Sequence, residues 1–236
     1  MANPLAITLH ALGIESSSGQ SAAVDIEAIR SAARLTLTIT AVVGGAPTIT
    51  LETSPDGTTG WRHVGGFTAL GAAASEERSF DQCDRYLRVA WTVGTSATFS
   101  VAGDAHQLFV QRADVEAEIG ESALSEVEGN DYANALIKAS CDIEDALAGA
   151  YVPPFSAIPL SVRQRGGAIA AFRALKQRGF DPDNPADALV LKGNDDAMSW
   201  LARVARGALK PPGIIDSTPA TYEAAAAVVS NTARGW

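Results

Sequence analysis

Two cysteines and three histidines in 236 residues leave little material for a metal centre or a disulfide framework. Cys83 and Cys141 lie in stretches of different character and are expected to be free thiols. His10, His63 and His106 are isolated, with no His-Glu-x-x-His pair or paired-cysteine spacing around them. No apolar run reaches about 18 residues, so no membrane span is expected. The opening MANPLAITLHALG lacks the basic start and continuous apolar core of a signal peptide, which points to a protein that stays in the cytoplasm of the cell that makes it. Basic residues are scarce too. Lys and Arg number 18 against 27 Asp and Glu, and the net charge of −9 argues against non-specific nucleic-acid binding, which needs a basic surface. Phosphate-binding loops, dinucleotide fingerprints and Gly-x-Ser-x-Gly elbows are missing. No catalytic, cofactor or metal residues are therefore assigned, and an enzyme is not expected. DPDNPAD brings Asp181, Asp183 and Asp187 together without the glycine and distal glutamate of a calcium loop, and reads as a turn and helix cap.

What is present falls into two patterns. The first hundred residues are rich in Thr, Val, Gly and Ser and alternate at period two. Residues 4–10 read as a short strand. Arg34–Val43 places Leu35, Leu37, Ile39 and Ala41 on one face. Residues 48–53 run into SPDGTTGW, where Pro55, Asp56 and Gly57 supply a tight turn, and Trp61–Phe67 returns. Arg85–Val93 sets Leu87, Val89, Trp91 and Val93 on one face, and residues 97–102 follow. Short strands at this spacing predict an antiparallel, jelly-roll-like sandwich of about seven or eight strands.

Beyond His106 the period becomes helical. Arg112–Ile119 is closed by Gly120, and residues 124–127 give a further turn. The most decisive stretch is Asn130–Pro154, where Tyr132, Leu136, Ala139, Ile143, Leu147 and Ala150 form one stripe and Lys138, Asp142 and Asp145 line the other side. Asn130 and Asp131 are its expected caps, and Gly149, Pro153 and Pro154 its stop. Its partners are expected downstream. Ser161 and Gln164 form a capping-box pattern for a helix to Gly179, in which Gly166 and Gly167 mark a hinge or a close backbone approach. Asn194, Asp195 and Asp196 are expected to open a last helix ending near Arg203 and Arg206. The fold expected is α+β and multidomain: a sandwich over 1–106, a small helical bundle over 107–210 and an extended arm over 211–236.

Charge divides the helical part. Residues 112–145 hold ten acids against two bases, a balance of −8, and residues 163–210 hold nine bases against five acids, a balance of +4. Heterologous contacts between such faces build rings when they close. Arg163 and Arg173 of one subunit are thus expected to face Asp142 and Asp145 of the next. The arm carries Ile214, Ile215, Tyr222, Val228, Val229 and Trp236, too apolar for a solvating tail.

The helical residues also carry a family likeness. RADVEAEIG, an Asp-Tyr before an Ala-rich helix, ASCDIEDALAGAYVPPF and DDAMSWLARVARG resemble the phage gp36-like proteins, which are similar to the head-tail connector, or adaptor, proteins of tailed bacteriophages. The likeness covers Arg112 to about Lys210 and is most specific over Asp142–Pro154; Ala150 stands where a basic residue is usual. SPDGTTGWRHVGGF and RYLRVAWTVGTSATFSVAG resemble small β-sandwich proteins encoded among phage structural genes. The resemblance implies a structural virion protein of the neck, assembled in the host cytoplasm. It would form a twelvefold ring between the portal protein and the tail completion or terminator proteins. Genome DNA would pass through the ring without specific binding, and Glu116, Glu118, Glu121, Glu126 and Glu128 are the candidates for an acidic channel wall. A C-terminal arm in such adaptors docks on the portal, which makes Ile214, Ile215, Tyr222, Arg234 and Trp236 candidate portal contacts. The alternative is a binding or decoration module, in which Trp61, Tyr86 and Trp91 recognise carbohydrate or a host surface.

Overall fold

Alternating Thr and aliphatic residues build the first half of the computed structural model, which describes residues 4–120, 130–148, 151, 158–181 and 183–211. The strands are β1 (Leu5–Glu15), β2 (Gly19–Gln20), β3 (Val24–Asp25), β4 (Ala32–Val43), β5 (Thr48–Ser54), β6 (Arg62–Gly66), β7 (Ala74–Phe80), β8 (Tyr86–Thr92) and β9 (Ser96–His106). One sheet has the order β1-β9-β4-β7; the other runs β2-β8-β5-β6, with β3 also on β8, and every pairing is antiparallel. With β2 and β3 taken as one interrupted strand, these are the two four-stranded orders of a jelly roll. Inward residues of both sheets form its core, including Leu35, Leu37, Leu51, Leu87, Val89 and Phe99.

Local chemistry explains the departures from simple alternation. Ala41 is exposed rather than buried, because a bulge between Ile39 and Ala41 against β9 turns the rest of β4 over. Two register shifts around His10 let it follow Leu9 inward, where its ring stacks on Phe99 at 4.4 Å and meets Trp91 edge-on at 4.8 Å. At the β5–β6 turn the Asp56 carboxylate accepts bonds from both the backbone and hydroxyl groups of Thr58 and Thr59, while Gly57 and Gly60 take positive φ. Bonds from Thr59 and then Thr58 hold that carboxyl far below the usual range. Strand β7, ASEERSF, has no apolar alternation to betray it; it is a charged edge strand.

The helices are α1 (Arg112–Ile119), α2 (Asn130–Ala148), α3 (Leu160–Arg178) and α4 (Pro185–Ala205). Tyr132, Leu136, Ala139, Ile143 and Leu147 of α2 are all buried in the helical core. Ala133, Ile137 and Ser140, the next stripe round, are buried as well, and α2 lies against β7 and β4. Its partners are therefore upstream as well as downstream, and they include Phe109, Val110 and Val115. The Ser140 hydroxyl accepts the Phe109 N–H at 3.0 Å, tying the helix to the chain leaving the sandwich.

Two helix starts differ from expectation. Helix α3 begins two residues earlier than a Ser161 cap allows, with Pro159 at its N-cap, and the Ser161 hydroxyl is buried with no partner among the described residues. Pro159 pre-sets the extended entry and its carbonyl receives the Val162 and Arg163 amides, so no side-chain box forms. Helix α4 begins nine residues ahead of Asn194. Asn184 accepts the Ala186 N–H at 3.0 Å and Pro185 takes the first helical position, so Asn194, Asp195 and Asp196 lie mid-helix. The side chains of the expected caps Asn130 and Asp131, the last stripe residue Ala150, the expected stops Gly149, Pro153 and Pro154, and the turn over 124–127 fall outside what the structure describes.

Candidate functional site

The helical core is held by close backbone approach. A Cβ on Gly166 would collide with Val110 and come within 2.7 Å of Ile143, and one on Gly167 would sit 2.7 Å from the Asp114 carbonyl oxygen. The glycine pair is thus the seat of α1 on α3, and the close-approach reading of the sequence is the one realised. Along this contact Arg163 donates to both oxygens of Asp114, at 2.7 and 3.2 Å, and Asp114 also receives the Gln111 N–H at the α1 start. Arg173 bonds Asp142 of α2. The cations expected to face a neighbour are therefore already paired inside the subunit, each about one-third exposed. Such half-wet pairs contribute modestly to stability.

At the junction of sandwich and helices, Arg112 pairs with Glu116 at 3.2 Å and lies 5.1 Å from the Tyr132 ring centroid. Burial raises the Asp81 carboxyl, against the pull of Arg112, and burial likewise raises the Tyr132 hydroxyl. Burial, with Arg34 and Arg30, lowers His106, whose Nε2 has no partner among the described residues. Cys83 and Cys141 are free thiols; burial pushes Cys83 up to about 12 and raises Cys141.

Of the channel candidates, Glu116 is taken up by Arg112 and Glu118 is exposed; Glu121, Glu126 and Glu128 lie outside the described residues. The portal candidates Ile214, Ile215, Tyr222, Arg234 and Trp236 lie outside them too. Asp145 is exposed on α2. Trp91 is a core residue whose Nε1 donates to the Ser17 carbonyl at 3.1 Å, and Trp61 is half-buried with the Arg88 guanidinium 4.0 Å from its ring centroid. Tyr86 is half-buried against Gly57. The three aromatics do not form one exposed platform. In DPDNPAD, Asp187 is buried and accepts the Asp181 N–H at 3.0 Å, and Asp181 accepts that of Asp183 at 3.0 Å, so these carboxylates organise the turn into α4. Among the described residues no cluster of three His, Cys, Asp or Glu side chains could hold a metal, and no helix is long and apolar enough to cross a membrane.

Sequence reasoning missed one feature. Lys138 of α2, Phe172 and Lys176 of α3, and Asn194 and Met198 of α4 line a groove of about 370 Å³ with Arg173. Phe172 and Asn194 are far apart in the sequence, which hides that proximity, and α4 carries Asn194 to it.

The family model described as Bacteriophage Mu, Gp36 matches residues 109–230. That span reaches past Lys210 into the apolar C-terminal segment. No curated protein matches the chain. Among solved structures, the PBSX exported protein XepA is 14% identical over 45% of this chain and 37% of its own, with a TM-score of 0.30. An infectious bursal disease virus Gx strain structure is 17% identical over 45% and 33%, with a TM-score of 0.32. A carbohydrate-binding module of the beta-sandwich superfamily is 10% identical over 44% and 53%, with a TM-score of 0.27. The chain thus spans about a third of the first two, and likenesses this slight say nothing of what it does.

Proposed function

The chain belongs to the Bacteriophage Mu Gp36 family, and from that premise we propose that it is a structural virion protein, a head-tail adaptor forming a ring between portal and tail in the neck of a tailed phage. The observation that carries the reading is the family match over the whole helical core and beyond it. The charge split supports it, since acids dominate 112–145 and bases 163–210 and heterologous contacts of that kind close into rings. The ring is twelvefold, matched to the portal, with tail completion or terminator proteins on its other side. Its channel wall is acidic, drawn from Glu116, Glu118, Glu121, Glu126 and Glu128, so that DNA slides past without a phosphate-binding surface. Arg163, Arg173, Asp142 and Asp145 border the subunit contact, and the segment beyond Lys210 anchors each subunit to the portal through Ile214, Ile215, Tyr222, Arg234 and Trp236. The match extending to residue 230 makes most of that segment part of the family unit rather than an appendage. The test is a phage lacking this gene. It should accumulate heads and tails that do not join, with the full-length protein restoring the joint in trans; infectious tailed particles made without the protein overturn the reading.

A further inference from the structure

Two grooves open on the helical core, and they differ in charge. One, of about 360 Å³, lies where α1 ends against α3 and α4, and its lining holds the carboxylates of Glu118 and Asp187 and no base. The other, of about 370 Å³, is lined by Lys138, Phe172, Arg173, Lys176 and Met198. At about 100° per residue, Gly167 lies close beside Arg163 on the side of α3 that meets Asp114, whereas Phe172 and Lys176 fall roughly 180° and 220° round from Arg163, so the second groove opens away from α1. Arg173 is neutralised there by Asp142, but Lys138 and Lys176 are exposed and have no carboxylate within ion-pair distance among the described residues. The Lys176 ammonium rests 5.7 Å from the Phe172 ring centroid, and Met198 is 42% exposed, so two ammonium groups flank an apolar floor. Such a groove suits a segment that presents carboxylates beside apolar side chains.

The end of α4 turns such a segment back toward the core. Gly207 takes a φ of 69°; its N–H donates to the Val204 carbonyl at 2.8 Å and the Ala208 N–H to the Arg203 carbonyl at 2.9 Å, the paired closure that a left-handed glycine gives a helix end. Leu209 then packs against the helical core, and Pro211 is buried. From Ala205 back to Asn194 the helix runs about 16 Å, while the five residues from Pro211 to Asp216 and the twelve to Glu223 span up to about 17 and 40 Å. Residues 211–233 contain these two acids and no Lys, Arg or His, and each acid directly follows an apolar residue, Ile215 or Tyr222. We propose that the groove receives residues 214–223 of the same chain, with Asp216 and Glu223 at Lys138 and Lys176 and with Ile215 and Tyr222 over Phe172 and Met198. The other groove repels this segment through Glu118 and Asp187. So short a tether holds the segment at an effective concentration on the order of millimolar, which a second copy in dilute solution does not match. The contact goes beyond the adaptor reading and does not rest on it; a portal binding Ile214, Ile215 and Tyr222 has the groove as its competitor.

An equal mixture of ¹⁴N- and ¹⁵N-labelled full-length chain, treated dilute and at low salt with a zero-length carbodiimide, should yield cross-links from Lys138 or Lys176 to the peptide bearing Asp216 and Glu223, each within one isotope. Mixed-isotope links, which would put a second copy in the groove, overturn the proposal, as do links to other carboxylates or no links at these lysines. Cleavage after Tyr222 by chymotrypsin reports the population of released segment when opening is fast relative to cutting. K138E/K176E should speed that cleavage about three- to tenfold, the size expected for two exposed ion pairs. Adding D216K/E223K to the same chain should slow it again, and circular dichroism checks that both variants remain folded. Unchanged cleavage in K138E/K176E, or acceleration that the second pair of changes does not reverse, overturns the contact. Neither measurement uses phage particles, so tailed particles made without the protein would remove the adaptor reading and leave the groove contact standing.

Discussion

The two cores of this molecule are filled in opposite ways. The sandwich buries Phe99, Leu35, Leu37, Ile49, Leu51 and Leu87, whereas the helical core leans on Ala135, Ala139, Ala168, Ala170, Ala171, Ala174 and Ala197 and on the Gly166–Gly167 seat. Sheets packed about 10 Å apart need long side chains to fill the space between them. Helices with Ala and Gly at their contacts instead bring backbones together, and then have no room to give. The difference teaches where each half is vulnerable: the sandwich to lost volume, the helices to added volume.

Removing the largest fully buried side chain should have the greatest effect. Phe99→Ala is expected to cost about 3–5 kcal/mol in urea unfolding, because the cavity cannot collapse between two hydrogen-bonded sheets. A loss under about 1 kcal/mol would mean that the sandwich core is not packed as described. Next comes Gly166→Ala, which sharpens the contrast through its sign. In an exposed helix that change stabilises by about 1 kcal/mol. Here the new methyl runs into Val110 and Ile143, and a loss of about 1–3 kcal/mol is expected. Stabilisation would revive the hinge reading.

The smallest effect lies at the junction of the two cores. Burial and the nearby Arg34 lower His106, so below its ordinary range the unfolded chain binds the proton that the folded chain refuses. Stability is then intact above about pH 6.5 and falls as the pH drops below it, by at most about 1.4 kcal/mol per unit from this group. Chemical denaturation at pH 7 and pH 5 should show a shallower decline in His106→Gln than in the unaltered chain. Equal slopes would exclude His106 as a contributor.

How much could be read beforehand depended on whether a residue's partner was its neighbour in sequence. Strict alternation in residues 34–39 and 85–93 is a local property, and both became strands with the expected faces. The helix from Arg112 to Ile119, with Gly120 behind it, was readable for the same reason. Strand β7 was not, because Glu76, Glu77 and Arg78 tolerate an edge position only through pairing with β4. The start of α4 was hidden because DNPAD serves equally as a turn and as an Asn cap with Pro at the first helical position.

The residue pattern alone settled the class of the fold, an antiparallel sandwich followed by helices, since periodicity of two or 3.6 states which face a residue occupies. It also showed the acidic-to-basic sweep along the chain. Which charges meet was a matter of tertiary structure: Arg163 reaches Asp114 and Arg173 reaches Asp142 across gaps of 49 and 31 residues, spending cations that linear spacing leaves available. The same packing sets Lys138 and Lys176 together on the side of α3 away from α1. Electrostatic pairing depends on distance through space, and a sequence records only distance along the chain.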